Sequence, residues 1–157
     1  MRAVIMATMI VVASFASPFH AEAADDEAET VISLQRGACL GPCPDYTVEI
    51  RGDGSVIFTG GQYTVQKGEV RYAIDPAEVA GLKAFIDARN FASLQDKYAV
   101  TWTDQIWIEV CVTTAQTKKC VEDYSGLNAG MPQSVRDIEN EIDRVGRTAP
   151  LVKAPQG

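Results

Sequence analysis

Apolar and polar residues alternate through the first half of the chain and predict strands. Ile32 and Leu34 alternate with Ser33 and Gln35 within 30–36, and Tyr46, Val48 and Ile50 alternate with Thr47 and Glu49, the period-two pattern of half-buried strands. The turn Arg51-Gly52-Asp53-Gly54 leads into Val56 and Phe58 on a return strand. Asp-Gly suits the positive-φ geometry of a tight hairpin, which accounts for the Arg-Gly-Asp triplet without a cell-adhesion role. Gly60-Gly61 breaks that strand, and Val70, Tyr72 and Ile74 alternate again.

The period then lengthens. Asp75-Pro76-Ala77-Glu78 supplies an N-cap, a proline at the first helical position and an early acid, predicting a helix to about Asn90 with Val79, Leu82, Phe85 and Ile86 on one face. From Phe91 to Tyr98 no period is clear, and a turn that tucks Phe91 and Leu94 under the helix is expected. Ile106, Ile108, Val110 and Val112 form one face of a further strand, with Trp107, Glu109 and Cys111 on the other. A turn at Ala115-Gln116 returns a partner strand through Tyr124. Pro132 opens the last helix, whose Val135, Ile138, Ile142 and Val145 make one apolar stripe.

Strands, helix, hairpin and helix joined by short connections predict an α+β fold, an antiparallel sheet with two helices packed on one face. A single domain is expected over 30–146, after a flexible lead-in at 24–29 and before a mobile tail at 147–157. Arg2, an apolar run through Val12 and small residues ending in Ala21-Glu22-Ala23 read as a secretory signal peptide over 1–23. Export to the periplasm or medium is the expectation, with nothing membrane-spanning after cleavage. Its removal would take away His20, the sole histidine, and with it Ser-His-Asp and Cys-His nucleophiles and histidine-ligated metals within one chain. The formal net charge of −7 argues against nucleic acid as a partner.

The chain concentrates its special residues at Cys39-Leu40-Gly41-Pro42-Cys43-Pro44-Asp45-Tyr46. Two prolines and a glycine there can continue neither a helix nor a central strand, so this is a rigid corner between two strands. Four cysteines allow three full pairings. Pairing Cys39 with Cys43 staples the corner. Pairing Cys111 with Cys120 fits the hairpin register, which sets these residues opposite each other, along with Val110 against Val121 and Trp107 against Tyr124. The same register opposes Glu109 and Glu122, a repulsion of a few tenths of a kcal/mol, smaller than the roughly 2–3 kcal/mol of a bridge closing so short a loop.

Cys39-x-x-x-Cys43-Pro44 resembles the copper motif of Sco-type assembly proteins, but a helix is missing after it and no histidine remains in the mature chain. Leu34-Gln35-Arg36, Cys39-x-Gly41-x-Cys43-Pro44-x-Tyr46, the Gly52-Asp53-Gly54 hairpin, Thr103-Asp104 and the Ile138-to-Val145 helix together resemble an uncharacterised family of exported bacterial domains, a domain-of-unknown-function group, over about Val31 to Val145. The resemblance implies a small exported α+β domain, with Gly41, Pro44 and Tyr46 as motif residues and no assigned ligand or activity.

A non-enzymatic exported binding or accessory domain is the leading expectation, with no catalytic residues, metal or cofactor. Ile57, Trp107 and Tyr124, on the open sheet face, are the candidate surface for an envelope protein or small ligand. The alternative is thiol-disulfide or copper handling by Cys39 and Cys43. A carboxylate enzyme drawing on Asp104, Glu109 and Asp123 is a third class, and no spacing pairs those acids.

Overall fold

Ile32 and Leu34 on β1 (Val31–Arg36) and Val48 and Ile50 on β2 (Tyr46–Arg51) are fully buried, as are Val56 and Phe58 on β3 (Ser55–Gly60). Their polar neighbours in sequence are not, so the alternation has sorted one sheet face into the core. The computed structural model describes residues 29–153; the signal peptide expected at 1–23 and most of the lead-in at 24–29 lie outside them. The remaining strands are β4 (Gly68–Ala73), β5 (Lys97–Ala99), β6 (Trp107–Thr113) and β7 (Lys118–Tyr124). They form one seven-stranded sheet in the order β4-β3-β2-β1-β6-β7-β5.

Helix α1 (Pro76–Asp87) begins as its sequence dictates: Asp75 Oδ1 accepts the Ala77 N–H at 2.9 Å, and Pro76 occupies the first turn. Val79, Leu82 and Ile86 are its buried side. Helix α2 (Gln133–Val145) buries Val135, Ile138, Ile142 and Val145, and packs against both α1 and β1. Just past its end Gly146 lies so close to Val48 and Ile50 that a Cβ there would meet the Val48 Cγ2 at 3.1 Å. The Tyr72 hydroxyl donates to the Gly146 carbonyl, fastening the helix end to β4.

The cysteine hairpin has the expected register. Cys111 faces Cys120, Val110 faces Val121, Trp107 faces Tyr124 and Glu109 faces Glu122, and the turn closes by the Thr114 N–H bonding to the Thr117 carbonyl. Both expected disulfides are present, with Cα separations of 5.6 Å for Cys39–Cys43 and 4.1 Å for Cys111–Cys120.

Three features differ from the sequence expectation. The sheet is not wholly antiparallel, because β5 runs parallel to β7. β5 holds three residues, too few to show a period, and the chain from 100 to 106 carries it past β7 before β6 begins. Ile106 stands outside the core at 40% exposure, because β1 ends opposite Ile108 and leaves Ile106 no strand to face. Residues 147–153, aperiodic in sequence and read as the start of a tail, contain α3 (Ala149–Val152). Thr148 is buried there, Leu151 and Val152 pack against the core, and the Leu151 carbonyl accepts the Gln66 N–H.

Candidate functional site

Strand register brings a polar row into the otherwise apolar covered face. Tyr46, Arg36, Ile108 and Asp123 are successive cross-strand neighbours on β2, β1, β6 and β7. Arg36 extends the alternation of Ile32 and Leu34, and Asp123 extends that of Val121, so both side chains are directed inward by the period of their strands. Facing them are Arg136, Glu139 and Asp143 at i, i+3 and i+7 of α2, which share one edge of that helix beside its apolar stripe.

The contacts divide into two clamps. In the first, the Arg36 guanidinium donates to Asp143 Oδ2 through Nη2 at 2.8 Å and Nε at 3.1 Å. Asp143 Oδ1 accepts the Tyr46 hydroxyl at 2.7 Å and the Thr148 hydroxyl at 2.7 Å. Arg36 Nε also approaches the Tyr46 oxygen at 3.0 Å. In the second, Arg136 donates through Nη2 to Asp123 Oδ2 at 2.5 Å and through Nη1 to Glu139 Oε2 at 2.9 Å. Asp123 Oδ1 accepts the Gly126 N–H at 2.6 Å and holds the turn that leads to α2. Arg36 Nη1 lies 3.7 Å from Glu139 Oε2 and joins the two clamps.

Two guanidinium groups thus meet three carboxyl groups, and the mismatch falls on Glu139. It is fully buried, and its Oε1 has no hydrogen-bond partner among the described residues. Burial raises its pKa to about 8; Arg136 and Arg36 pull it back, while Asp123 adds to the rise. Glu139 therefore carries its proton at neutral pH, which leaves the two arginines balanced by Asp123 and Asp143. Burial, followed by the charge of Asp143, pushes the Tyr46 phenol upward, so it remains a donor. Every oxygen of Asp143 is engaged inside the protein. The arrangement is suited to anchoring β1, β2 and β7 to α2, not to abstracting a substrate proton.

Above this row lies the end of the sheet where β1–β2, β3–β4 and β5–β6 connect and from which β7 departs. All six large apolar side chains exposed among the described residues are on these four connections: Leu40, Tyr63, Val65, Trp102, Ile106 and Leu127. The opposite end, with the turns at Gly52–Gly54 and Ala115–Gln116, has none. Backbone bonds stitch the apolar end together. Asp45 exchanges two with the 61–67 loop, at 3.0 Å to the Gln62 carbonyl and 2.7 Å from the Gly61 N–H, and Gln66 is bound to Leu151 at 2.9 Å. The Gly37 N–H donates to the Trp107 carbonyl at 2.7 Å. A groove of about 510 Å³ runs beside Tyr46 and Asp143 and is walled by Thr148, Ala149, Pro150, Val152 and Lys153.

Of the residues singled out in the sequence, Trp107 and Tyr124 are paired across β6 and β7 on the face opposite Val48. Ile57 shares that face, but β2 and β1 lie between it and β6, a separation of at least roughly 14 Å. All three are half-buried, and between them stand Glu49, Ser33, Gln35 and Glu109, so they do not form one apolar patch. Gly41 has φ of 152° within the corner, Pro44 precedes β2, and Tyr46 turns inward to the charge network. Asp104 is exposed at φ of 65°, far in role from Asp123, which belongs to the Arg136 clamp.

Glu109, Cys111 and Cys120 group their ligand-type atoms within 4.8 Å. The two sulfurs are joined to each other and are not thiolates, the form that binds metal. Arg36, the nearest cation in sequence to Cys39 and Cys43, is paired with Asp143. The corner pair reads as a staple that fixes Arg36 and Tyr46 at its two ends.

Arg136, Glu139, Asp143 and Thr148 were not among the residues the sequence singles out, and Arg36 appeared there only within the Leu34-Gln35-Arg36 motif, although part of the signal was visible. Arg36 occupies an inward position of β1, and Glu139 falls four residues after Val135, at the edge of the helix's apolar stripe. A charged residue at a core position needs a partner, but the sequence alone does not say which strand will supply it. No curated protein matches the chain. The model of the family described as Domain of unknown function (DUF6438) matches residues 30–146, the strands and helices that build the charge network included, and the chain belongs to that family.

Proposed function

We propose that this protein is a non-enzymatic exported binding domain, acting in the periplasm or outside the cell, whose contact surface is the loop end of the sheet. The observation that carries this reading is the segregation of Leu40, Tyr63, Val65, Trp102, Ile106 and Leu127 to one end. Scattered singly, such residues would need no explanation; gathered at one end, they have the character of an interaction surface. Both helices shelter the Ile32, Val48 and Phe58 face in this reading. The other face carries Glu49, Glu69, Glu109 and Glu122 and remains in water.

The loop end is also pre-organised. The Cys39–Cys43 bridge, the Asp45 bonds and the Arg36 clamp fix the connections before any partner arrives, which lowers the ordering cost of association. Charges in the four connections are few, namely Asp45, Lys67 and Asp104, so the partner offers an apolar, uncharged surface.

Serine substitution of Leu40, Trp102 and Leu127 together tests this. The triple variant is expected to keep the wild-type melting temperature within a few degrees, since exposed side chains contribute little to stability. Proteins that co-purify with wild type from the exporting cell's envelope are expected to be lost. A triple variant that retains the same co-purifying proteins overturns the reading.

A further inference from the structure

We infer that the groove beside Tyr46 binds a single-chain amphiphile with an anionic head, a long-chain carboxylate being the simplest example. Its volume of about 510 Å³ lies within the roughly 300–1,000 Å³ of small-molecule pockets. Ala149, Pro150 and Val152 present an apolar wall suited to an alkyl body.

The polar groups of the groove decide the head. Asp143 could hold a cationic ligand only with a spare acceptor, and both its oxygens are occupied, Oδ1 by the Tyr46 and Thr148 hydroxyls and Oδ2 by Arg36. Its charge is neutralised by the Arg36 guanidinium at 2.8 Å. The Tyr46 and Thr148 protons are directed to Asp143 and are not offered to a ligand. What remains is Lys153, exposed at the groove's edge, whose ammonium makes no ion pair or hydrogen bond among the described residues. An apolar wall next to one unpaired cation complements an apolar chain that ends in one negative charge.

This inference rests on the reading of that end as a binding surface, and its test separates the two. The full exported chain is titrated calorimetrically with dodecanoate and, separately, with dodecyltrimethylammonium, both below their micelle-forming concentrations. One saturable dodecanoate site per chain is expected, with the cationic amphiphile binding at least tenfold more weakly. Lys153→Ala is expected to weaken dodecanoate binding about tenfold, the order set by losing one charge-assisted contact. Ala149→Trp, at an exposed position, should block the groove and abolish binding without unfolding the chain. No saturable dodecanoate binding overturns the inference, as does equal binding of the two head groups or unchanged affinity in both variants. The Leu40, Trp102 and Leu127 serine variant should bind dodecanoate normally. If dodecanoate fails while that variant still loses its co-purifying proteins, only the groove assignment falls.

Discussion

Replacing Arg36 with alanine is expected to lower the stability of the folded chain by about 3 kcal/mol, the largest effect of any single charged residue here. Arg36 and Asp143 are largely buried, with side-chain exposures of 16% and 22%. Removing one member of such a pair leaves the other's charge desolvated without compensation, which costs about 3–5 kcal/mol in comparable buried pairs; the lower end is appropriate because Asp143 keeps some water contact and two hydroxyl donors. For a domain of this size the change amounts to roughly 10 °C in melting temperature. Arg36→Lys keeps the charge but not the forked contact with Asp143, so an intermediate loss is expected. The surface pair Arg71 with Glu69, at 66% and 51% exposure, is the control. Arg71→Ala should cost less than about 1 kcal/mol. Thermal and urea unfolding of the three variants check this, and equal small losses in Arg36→Ala and Arg71→Ala would contradict the anchoring role.

Glu139 gives the second large effect, read as pH dependence. Its folded pKa is raised to about 8 from an ordinary 4.5, chiefly by burial. Between these values the unfolded chain has released the proton and the folded chain still holds it, so folding binds a proton and stability falls as pH rises, by about 1.4 kcal/mol per pH unit. The stabilising contribution is complete below about pH 4.5 and has gone above about pH 8. The groups facing Glu139 are Arg136 on its own helix, Arg36 on β1 and Asp123 on β7. Glu139→Gln keeps the shape and cannot ionise. Its stability relative to wild type should therefore rise from pH 5 to pH 8, and chemical unfolding at several pH values measures the difference. If wild type instead gains on the variant as pH rises, Glu139 is ionised in the folded protein and the charge balance described above is wrong.

The fold was legible wherever a period ran for five residues or more. The Tyr46–Ile50 alternation, the Asp75-Pro76 helix start and the Val135–Val145 stripe each correspond to an observed element. The Cys111–Cys120 bridge follows from hairpin register alone, since cross-strand pairing is set by the turn. β5 was hidden because three residues carry no period, and its parallel pairing with β7 depends on a long-range crossover. α3 was hidden because the 147–153 segment is ordered by contacts with the core and with Gln66, not by local preference. The charge network was half visible. Single inward positions marked Arg36 and Glu139 as anomalous, but the Arg36 partner Asp143 lies 107 positions away in sequence, a matter of topology.

For the same reason Ile57, Trp107 and Tyr124 share a sheet face without forming one patch. Ile57, Trp107 and Tyr124 were grouped by sharing a face, which strand parity reveals, whereas their separation depends on strand order, which parity does not. Leu40, Tyr63, Trp102 and Leu127 lie in four separate connections, and only the up-and-down course of the strands brings those connections to one end.

The most direct test of that loop end as the contact surface is site-specific photo-crosslinking in the exporting cell. A photoreactive phenylalanine is placed in turn at Leu40, Tyr63 and Trp102, and at Asp53 and Gln116 on the opposite end. Crosslinked adducts from the first three positions, with none from the last two, are the predicted result. Adducts arising equally from both ends, or only from Asp53 and Gln116, would contradict it.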